Sequence, residues 1–277
     1  MFKKKLKRVV LIIVLLLLLL VMLIPLWWAL ALAFDRKALL AIPSPPRLWP
    51  QEFSLFNFEY VNQVIPVLRY FVNTLYVVFL NTVIAVFFAM TTGYAFAKGR
   101  FRFKKALFLM LIATMMIPFE ARVIPLYLQF HKIHLIGTYW PLILGSFAYC
   151  FGTFMCMNHI AALPDCLRES AYLDGAGEWR ILLQIIMPNC KPVISSLVIL
   201  RAVEQWNSYL WPLIVISKRE DQLVSVGLSL FASSAEGSRY IGPMMASAML
   251  AILPIVVIYL IMQKQIVAGV VHSGVKG

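Results

Sequence analysis

Residues 169–188 read ESAYLDGAGEWRILLQIIMP. This polar, amphipathic stretch lies between two hydrophobic runs, each long enough to cross a bilayer. A loop of this kind has to dock on something outside the hydrocarbon. The surrounding segment, 161–191, reads as two short helices joined at Asp174-Gly175. Pro164 and Asp165 suit the opening of the first, because proline tolerates an initial helical turn and aspartate favours its positive end. Gly175 can take the left-handed conformation that closes a helix. The second piece, about 177–187, places Trp179, Leu182, Leu183 and Ile186 at helical spacing, and Pro188 is expected to end it. Two occupants of that apolar face stay open on periodicity alone: a lipid surface or a partner protein.

The chain is 62% hydrophobic and 13% charged, with a mean hydropathy of +0.84, which is the composition of an integral membrane protein. Its net charge of +13 does not point to nucleic acid, since the basic residues flank hydrophobic runs rather than sharing one face. The four cysteines, Cys150, Cys156, Cys166 and Cys190, form no C-x-x-C pair and read as reduced side chains. At the N-terminus, Lys3, Lys4, Lys5, Lys7 and Arg8 precede an apolar run from Val9 to about Phe34. That run exceeds the ~7–15 residues of a signal-peptide core and suits a first spanning helix.

Five further stretches follow, giving expected spans at about 9–34, 70–97, 106–125, 139–160, 192–216 and 241–263. The expected fold is all-α and polytopic, because nothing in a bilayer satisfies exposed backbone. Prolines 25, 118, 125, 212, 243 and 254 fall in or near spans, where membranes tolerate them as kinks. No internal repeat is visible, so residues 9–263 read as one domain between tails at 1–8 and 264–277. Of the 25 lysines and arginines, most fall in a few short segments: the N-terminal tail, the 98–105 loop (Lys98, Arg100, Arg102, Lys104, Lys105), the 161–191 loop (Arg168, Arg180, Lys191) and the C-terminal end (Lys264, Lys276). This bias puts both termini and the 161–191 loop in the cytosol. The external side then holds a Pro-rich loop at 35–69, a short connection near 126–138 and a loop at 217–240.

The pattern Glu169-x-Ala171-x-x-x-Gly175-(nine residues)-Ile185-x-Met187-Pro188 resembles the loop by which permease subunits of ATP-binding-cassette importers grip their ATPases. Asn73-Thr74-Leu75, Gly93-Tyr94-Ala95-Phe96-Ala97, Trp206-Asn207-x-Tyr209-Leu210-Trp211-Pro212-Leu213 and the ending Gly274-Val275-Lys276-Gly277 resemble the carbohydrate-uptake branch. Within it, they are most similar to the maltose-type smaller permease and its glycerol-phosphate relatives. The likeness runs from about residue 69 onward. It implies the type I importer permease fold of six transmembrane helices in a bacterial-type cell membrane. It also implies a second homologous permease, two cytosolic ATPases that bind ATP and magnesium, and an extracytoplasmic solute-binding protein, with no cofactor in this chain. The resemblance assigns ATPase coupling to Glu169, Ser170 (in place of the more usual alanine), Ala171, Asp174, Gly175, Ala176 and Pro188. It assigns a C-terminal ATPase contact to Gly274 and Lys276, and lets the 217–240 loop reach toward the binding protein.

Inside the spans, Arg201 and Glu204 sit nine and twelve residues into the fifth, near mid-bilayer at ~1.5 Å per residue. Such charges face a bundle interior or a wet cavity, and their i,i+3 spacing permits mutual pairing. With Gln205 and Asn207 they read either as a polar wall of a translocation path or as an ion pair fixing contacts with a partner permease. Asn73 and Asn81 are weaker members of the same set, explained equally by interhelical hydrogen bonds. His131 and His134 have no third ligand nearby, and Gly269-x-x-x-x-Gly274 lacks the Gly-Lys-Ser/Thr of a phosphate loop. No catalytic constellation is present, and the resemblance implies a non-enzymatic transport subunit for a sugar or sugar derivative, an oligosaccharide or glycerol-3-phosphate. The alternative, an ion-gradient-driven carrier, calls for inverted repeats and a mid-membrane carboxylate, for which only Glu204 is available.

Overall fold

A computed structural model describes residues 2–38 and 47–274, with side chains described for all of these except 2–5, 236, 238 and 261–274. In chain order its helices are α1 (Phe2–Ala33), α2 (Phe56–Val64), α3 (Val67–Lys98), α4 (Lys104–Met115), α5 (Phe119–Lys132), α6 (Trp140–Leu144), α7 (Cys150–Ala161) and α8 (Cys166–Leu173). There follow α9 (Glu178–Asn189), α10 (Lys191–Trp206), α11 (Leu210–Val215), α12 (Val224–Ser233), α13 (Ala235–Arg239) and α14 (Ile241–Gly274). The fold is all-α. Among the described residues, four helical segments are long and apolar enough to span a membrane: Leu6–Ala33, Val67–Lys98, Trp140–Ala161 and Ile241–Leu260. Two bent pairs raise the candidates to six, α4 with α5 at 103° and α9 with α10 at 82°.

The chain divides into two compact units. The first comprises residues 1–68 and 226–254. In it α1 exposes apolar side chains from Leu6 to Leu26, the surface a lipid-facing helix presents. The end of α1 is secured by Asn57, whose side-chain amide donates to the carbonyls of Leu32, Ala33 and Asp35 at 3.3, 3.0 and 3.0 Å. These are the orphan acceptors that every helix C-terminus must satisfy. The Asp35 carboxylate accepts in turn from the backbone of Lys37, Gln51 and Glu52. Pro43, Pro45 and Pro46 of the Pro-rich stretch lie outside the described residues.

The second unit, 69–225 and 255–277, holds two apolar clusters. At one end, Val77 of α3, Val123 and Phe130 of α5, Leu142 of α6, and Trp211 and Val215 of α11 pack together. Asn81 donates to the Leu142 carbonyl at 2.6 Å and Trp211 to that of Pro141 at 3.1 Å, so α3 and α11 are both pinned to α6. At the other end, Ala89, Met90 and Tyr94 of α3 meet Cys156 and Ile160 of α7 and the inner face of α8 and α9. There the contact is set by small residues: a Cβ on Gly93 would lie 2.6 Å from the Cys156 Cβ and 3.0 Å from the Met157 nitrogen. Close approach of this kind is how membrane helices gain packing without a hydrophobic driving force.

The spans depart from straight rods where proline dictates. The stretch expected as one span at 106–125 is two helices meeting at Met116–Pro118, because the residue before a proline is pushed out of helical geometry. The stretch at 192–216 is interrupted at 207–209 and resumes as α11. The last helix does not stop near 263 but continues to Gly274. All four cysteines are free thiols, Cys156 and Cys190 buried.

Gly93→Val should therefore destabilise the α3–α7 contact by ~1–3 kcal/mol, the usual cost of overpacking. A lowered Tm in detergent is expected, whereas Gly145→Ala, with open space around its Cβ, should leave Tm within error.

Candidate functional site: the 163–190 elbow

Helix α8 ends in a full left-handed stop. Gly175 has φ +74°, its N–H donates to the Tyr172 carbonyl at 3.0 Å, and the Ala176 N–H reaches the Ala171 carbonyl at 2.9 Å. This double bond pattern is the Schellman closure, for which glycine is favoured because the conformation costs it no Cβ clash. Ala171, buried, and Ala176 turn inward against Ile181, Leu182 and Ile186 of α9 and the α3–α7 cluster. Glu169, Ser170, Asp174 and Gly175 stay exposed, and Leu173 is left 89% exposed at the tip.

The apolar face of α9 differs from the one expected. Leu182 and Ile186 are buried as read, but Ile181 joins them, while Trp179 and Leu183 are exposed. The reason is a π-helical turn over Leu182–Ile186, in which the Met187 N–H reaches back five residues to Leu182. The widened turn rotates the face, and it also accommodates Pro188, whose ring would clash with the carbonyl four residues back in a regular helix. Pro188 thus does not terminate α9. The helix passes through it to Asn189 and bends at Cys190 into α10.

A polar girdle fastens the elbow. Asp165 does not cap α8 with its side chain; it pairs instead with Lys98 at the end of α3, Nζ to Oδ1 2.6 Å, and the same ammonium donates to the Leu163 carbonyl at 2.9 Å. Arg168 donates to the Lys98 carbonyl at 3.2 Å and to Glu178 at 3.1 Å. Glu178 also accepts from the Tyr94 hydroxyl at 2.5 Å and from Tyr172. The hydrogen bond from Lys98 holds the Asp165 carboxyl below the usual carboxylate range. Partial burial pushes Glu178 up, but the bonds from Tyr172, Tyr94 and Arg168 outweigh it and the carboxyl also sits low. Lys98, Tyr94, Tyr172 and Glu178 went unassigned from sequence. Their partners lie up to 84 residues away, so spacing along the chain does not reveal them.

The intramembrane charges form a separate group. Arg201 donates to Glu204 at 2.9 Å and to the Asn81 side-chain oxygen at 2.8 Å, and lies 5.1 Å over the Tyr149 ring. Its ion pair is therefore internal to this chain, with Glu204 exposed on its far side. Gln205 is buried beside them, and Asn207 turns back to the Val203 carbonyl at 3.0 Å, closing α10. Asn73 lies apart from this group: its amide donates to the carbonyls of Glu220 and Gln222, holding the 217–222 segment. Gly274 ends α14, and Lys276 lies outside the described residues.

The elbow is thus a polar segment fastened to its neighbouring helices on one side, with its tip exposed on the other. Residues 86–272 match the family described as binding-protein-dependent transport system inner membrane component, and the chain belongs to that family. It is 32% identical over 209 residues to the arabinooligosaccharides transport system permease protein AraQ of Bacillus subtilis (strain 168), covering 76% of this chain and 74% of that one. It is 30% identical over 258 residues to the sn-glycerol-3-phosphate transport system permease protein UgpE of Escherichia coli (strain K12), covering 91% of each. Among solved structures, a chain of a bacterial ABC transporter involved in import of the acidic polysaccharide alginate superposes with TM-score 0.83 at 20% identity, over 94% of this chain and 96% of that one.

The girdle makes a pH prediction. Depressed carboxylates contribute stability that is complete above their ordinary values, ~4, and is lost as pH falls through the lowered ones. Protease protection of the 163–190 segment should hold at neutral pH and fail only below pH ~4, and Lys98→Gln should move that failure to higher pH.

Proposed function

We propose that this chain is one of two permease subunits of an ATP-driven importer of sugars or sugar derivatives, oligosaccharide or glycerol-3-phosphate. The substrate class is supported by the names of its relatives, one an arabinooligosaccharide and one an sn-glycerol-3-phosphate permease. Dependence on an extracytoplasmic solute-binding protein is supported by the family description. Family membership leaves the gradient-driven carrier without support. The chain itself is non-catalytic and needs no cofactor in this reading; ATP and magnesium belong to two cytosolic ATPases, and a second homologous permease completes the path. The Lys and Arg bias supports cytosolic termini and a cytosolic elbow.

One observation carries the coupling mechanism: the elbow is rigid on its inner side and bare on its outer side. Ala171, Ile181, Leu182 and Ile186 lock it to the span bundle, while Glu169, Ser170, Asp174, Gly175 and Leu173 face outward. Closure of the ATPase dimer on ATP then pulls the elbow as a lever, and the bundle passes from inward-open to outward-open. The two states are selected by differential contact with the ATPase. Arg201, Glu204, Gln205 and Asn207 supply a polar wall to the path in this scheme, and Gly274 and Lys276 a second ATPase contact.

Gly175→Asp places a charge in open space on the docking face and adds only modest left-handed strain, ~1 kcal/mol. Uptake in vesicles holding the complete transporter should fall at least about tenfold while ATP hydrolysis persists; normal uptake would overturn the lever. Glu204→Gln separates the two roles of the ion pair: a path residue lowers uptake several-fold at unchanged Tm, whereas a purely structural one lowers Tm and spares uptake.

A further inference from the structure

The loop joining α3 to α4 reads Lys98-Gly-Arg-Phe-Arg-Phe-Lys-Lys105, an alternation of cations with aromatic rings. The spanning-length helix α3 precedes it and the apolar, bent α4–α5 pair follows it, which suits a loop at headgroup depth. Phe101 and Phe103 are exposed, and Phe103 is held at φ +64°, an uncommon conformation for a bulky side chain that points to a constraint imposed by its surroundings. Beside the loop opens a polar cavity of about 400 Å³ walled by Lys98, Arg100 and Lys104 on one side and Asp165, Arg168 and Glu169 on the other.

Charge within that cavity is unbalanced. Lys98 is neutralised by Asp165 and Arg168 by Glu178. Arg100 and Lys104 have no carboxylate partner among the described residues; the Lys104 ammonium donates only to the Gly99 carbonyl at 3.0 Å. The Arg168 Nε is buried with no acceptor. Glu169 is exposed on the opposite wall, which leaves the Arg100–Lys104 side for an anion.

We propose that this cavity seats the phosphate of an anionic phospholipid, with the exposed rings of Phe101 and Phe103 meeting the acyl boundary of the same leaflet. A soluble anion would use the cations alone and gain nothing from the exposed surface of Phe101, packed on Phe96, or of Phe103, beneath Arg102, whereas a bilayer surface uses both. Because Lys98 ties the loop to Asp165 and its carbonyl holds Arg168, headgroup occupancy stiffens the base of the elbow. Lipid charge thereby tunes coupling. This last step rests on the lever reading above; the lipid contact does not.

The test uses the whole transporter, with its partner permease and ATPases, in nanodiscs of phosphatidylcholine with or without about one-third phosphatidylglycerol. Retained lipid is quantified by mass spectrometry and uptake is measured in matching vesicles. The wild type should retain phosphatidylglycerol over phosphatidylcholine by roughly tenfold, and Arg100→Gln/Lys104→Gln should lose that preference, since each basic group near an anionic surface contributes severalfold. Lys218→Gln, outside the loop, should keep it. Uptake should rise with phosphatidylglycerol in the wild type and stay flat in the double variant. Equal retention by wild type and double variant overturns the site. Restoration of wild-type uptake in pure phosphatidylcholine by inorganic phosphate would assign the cavity to a soluble anion and overturn the lipid. Lost retention with lipid-independent uptake would keep the contact and overturn only its link to the lever.

Discussion

Glu178 is the carboxylate on which the elbow closes. It accepts hydrogen bonds from Tyr94 of α3 and from Arg168 and Tyr172 of α8, so three side chains from two elements converge on one residue at the start of α9. Arg168 then passes the connection on to the Lys98 carbonyl, and Lys98 to Asp165. Charge-assisted bonds of this kind are stronger than neutral ones, and a network loses more than one bond when a member is removed. The result is a loop fastened to the helices beside it at several points.

Beneath the polar girdle, the same attachment is apolar. Ala171 and Ala176 are small where α8 and its turn meet α9, and Gly93 is small where α3 meets α7. Both reflect one constraint: backbones must come close for short side chains to interlock. The π-turn at 182–186 belongs to the same solution, because it turns Ile181, Leu182 and Ile186 inward and lets Pro188 remain within the helix. Leu183 and Trp179 are left exposed, as is Leu173 at the tip of the elbow.

The charges within the spans follow a different logic from those of the elbow. Arg201 satisfies itself inside the chain through Glu204, Asn81 and the Tyr149 ring, which answers the cost of an unpaired charge in lipid. Asn73, grouped with it from composition, is used at the far end of α3 to hold the 217–222 backbone. Two asparagines eight residues apart on one helix thus serve different neighbours, and nothing local distinguishes them.

Helical architecture and the exposure of the 169–175 turn were legible from the chain itself. Backbone without partners in hydrocarbon must be helical, apolar runs of about 20 residues mark the spans, and Gly175 advertises its left-handed turn through its own conformational freedom. These signals are local, carried by neighbouring residues. The rotated face of α9 and the identity of the elbow's fasteners were not legible in the same way. They depend on which helices come together, through contacts such as Tyr94 with Glu178 and Lys98 with Asp165, separated by 84 and 67 residues. Periodicity describes one helix at a time; choosing among its possible faces and partners required the packed bundle.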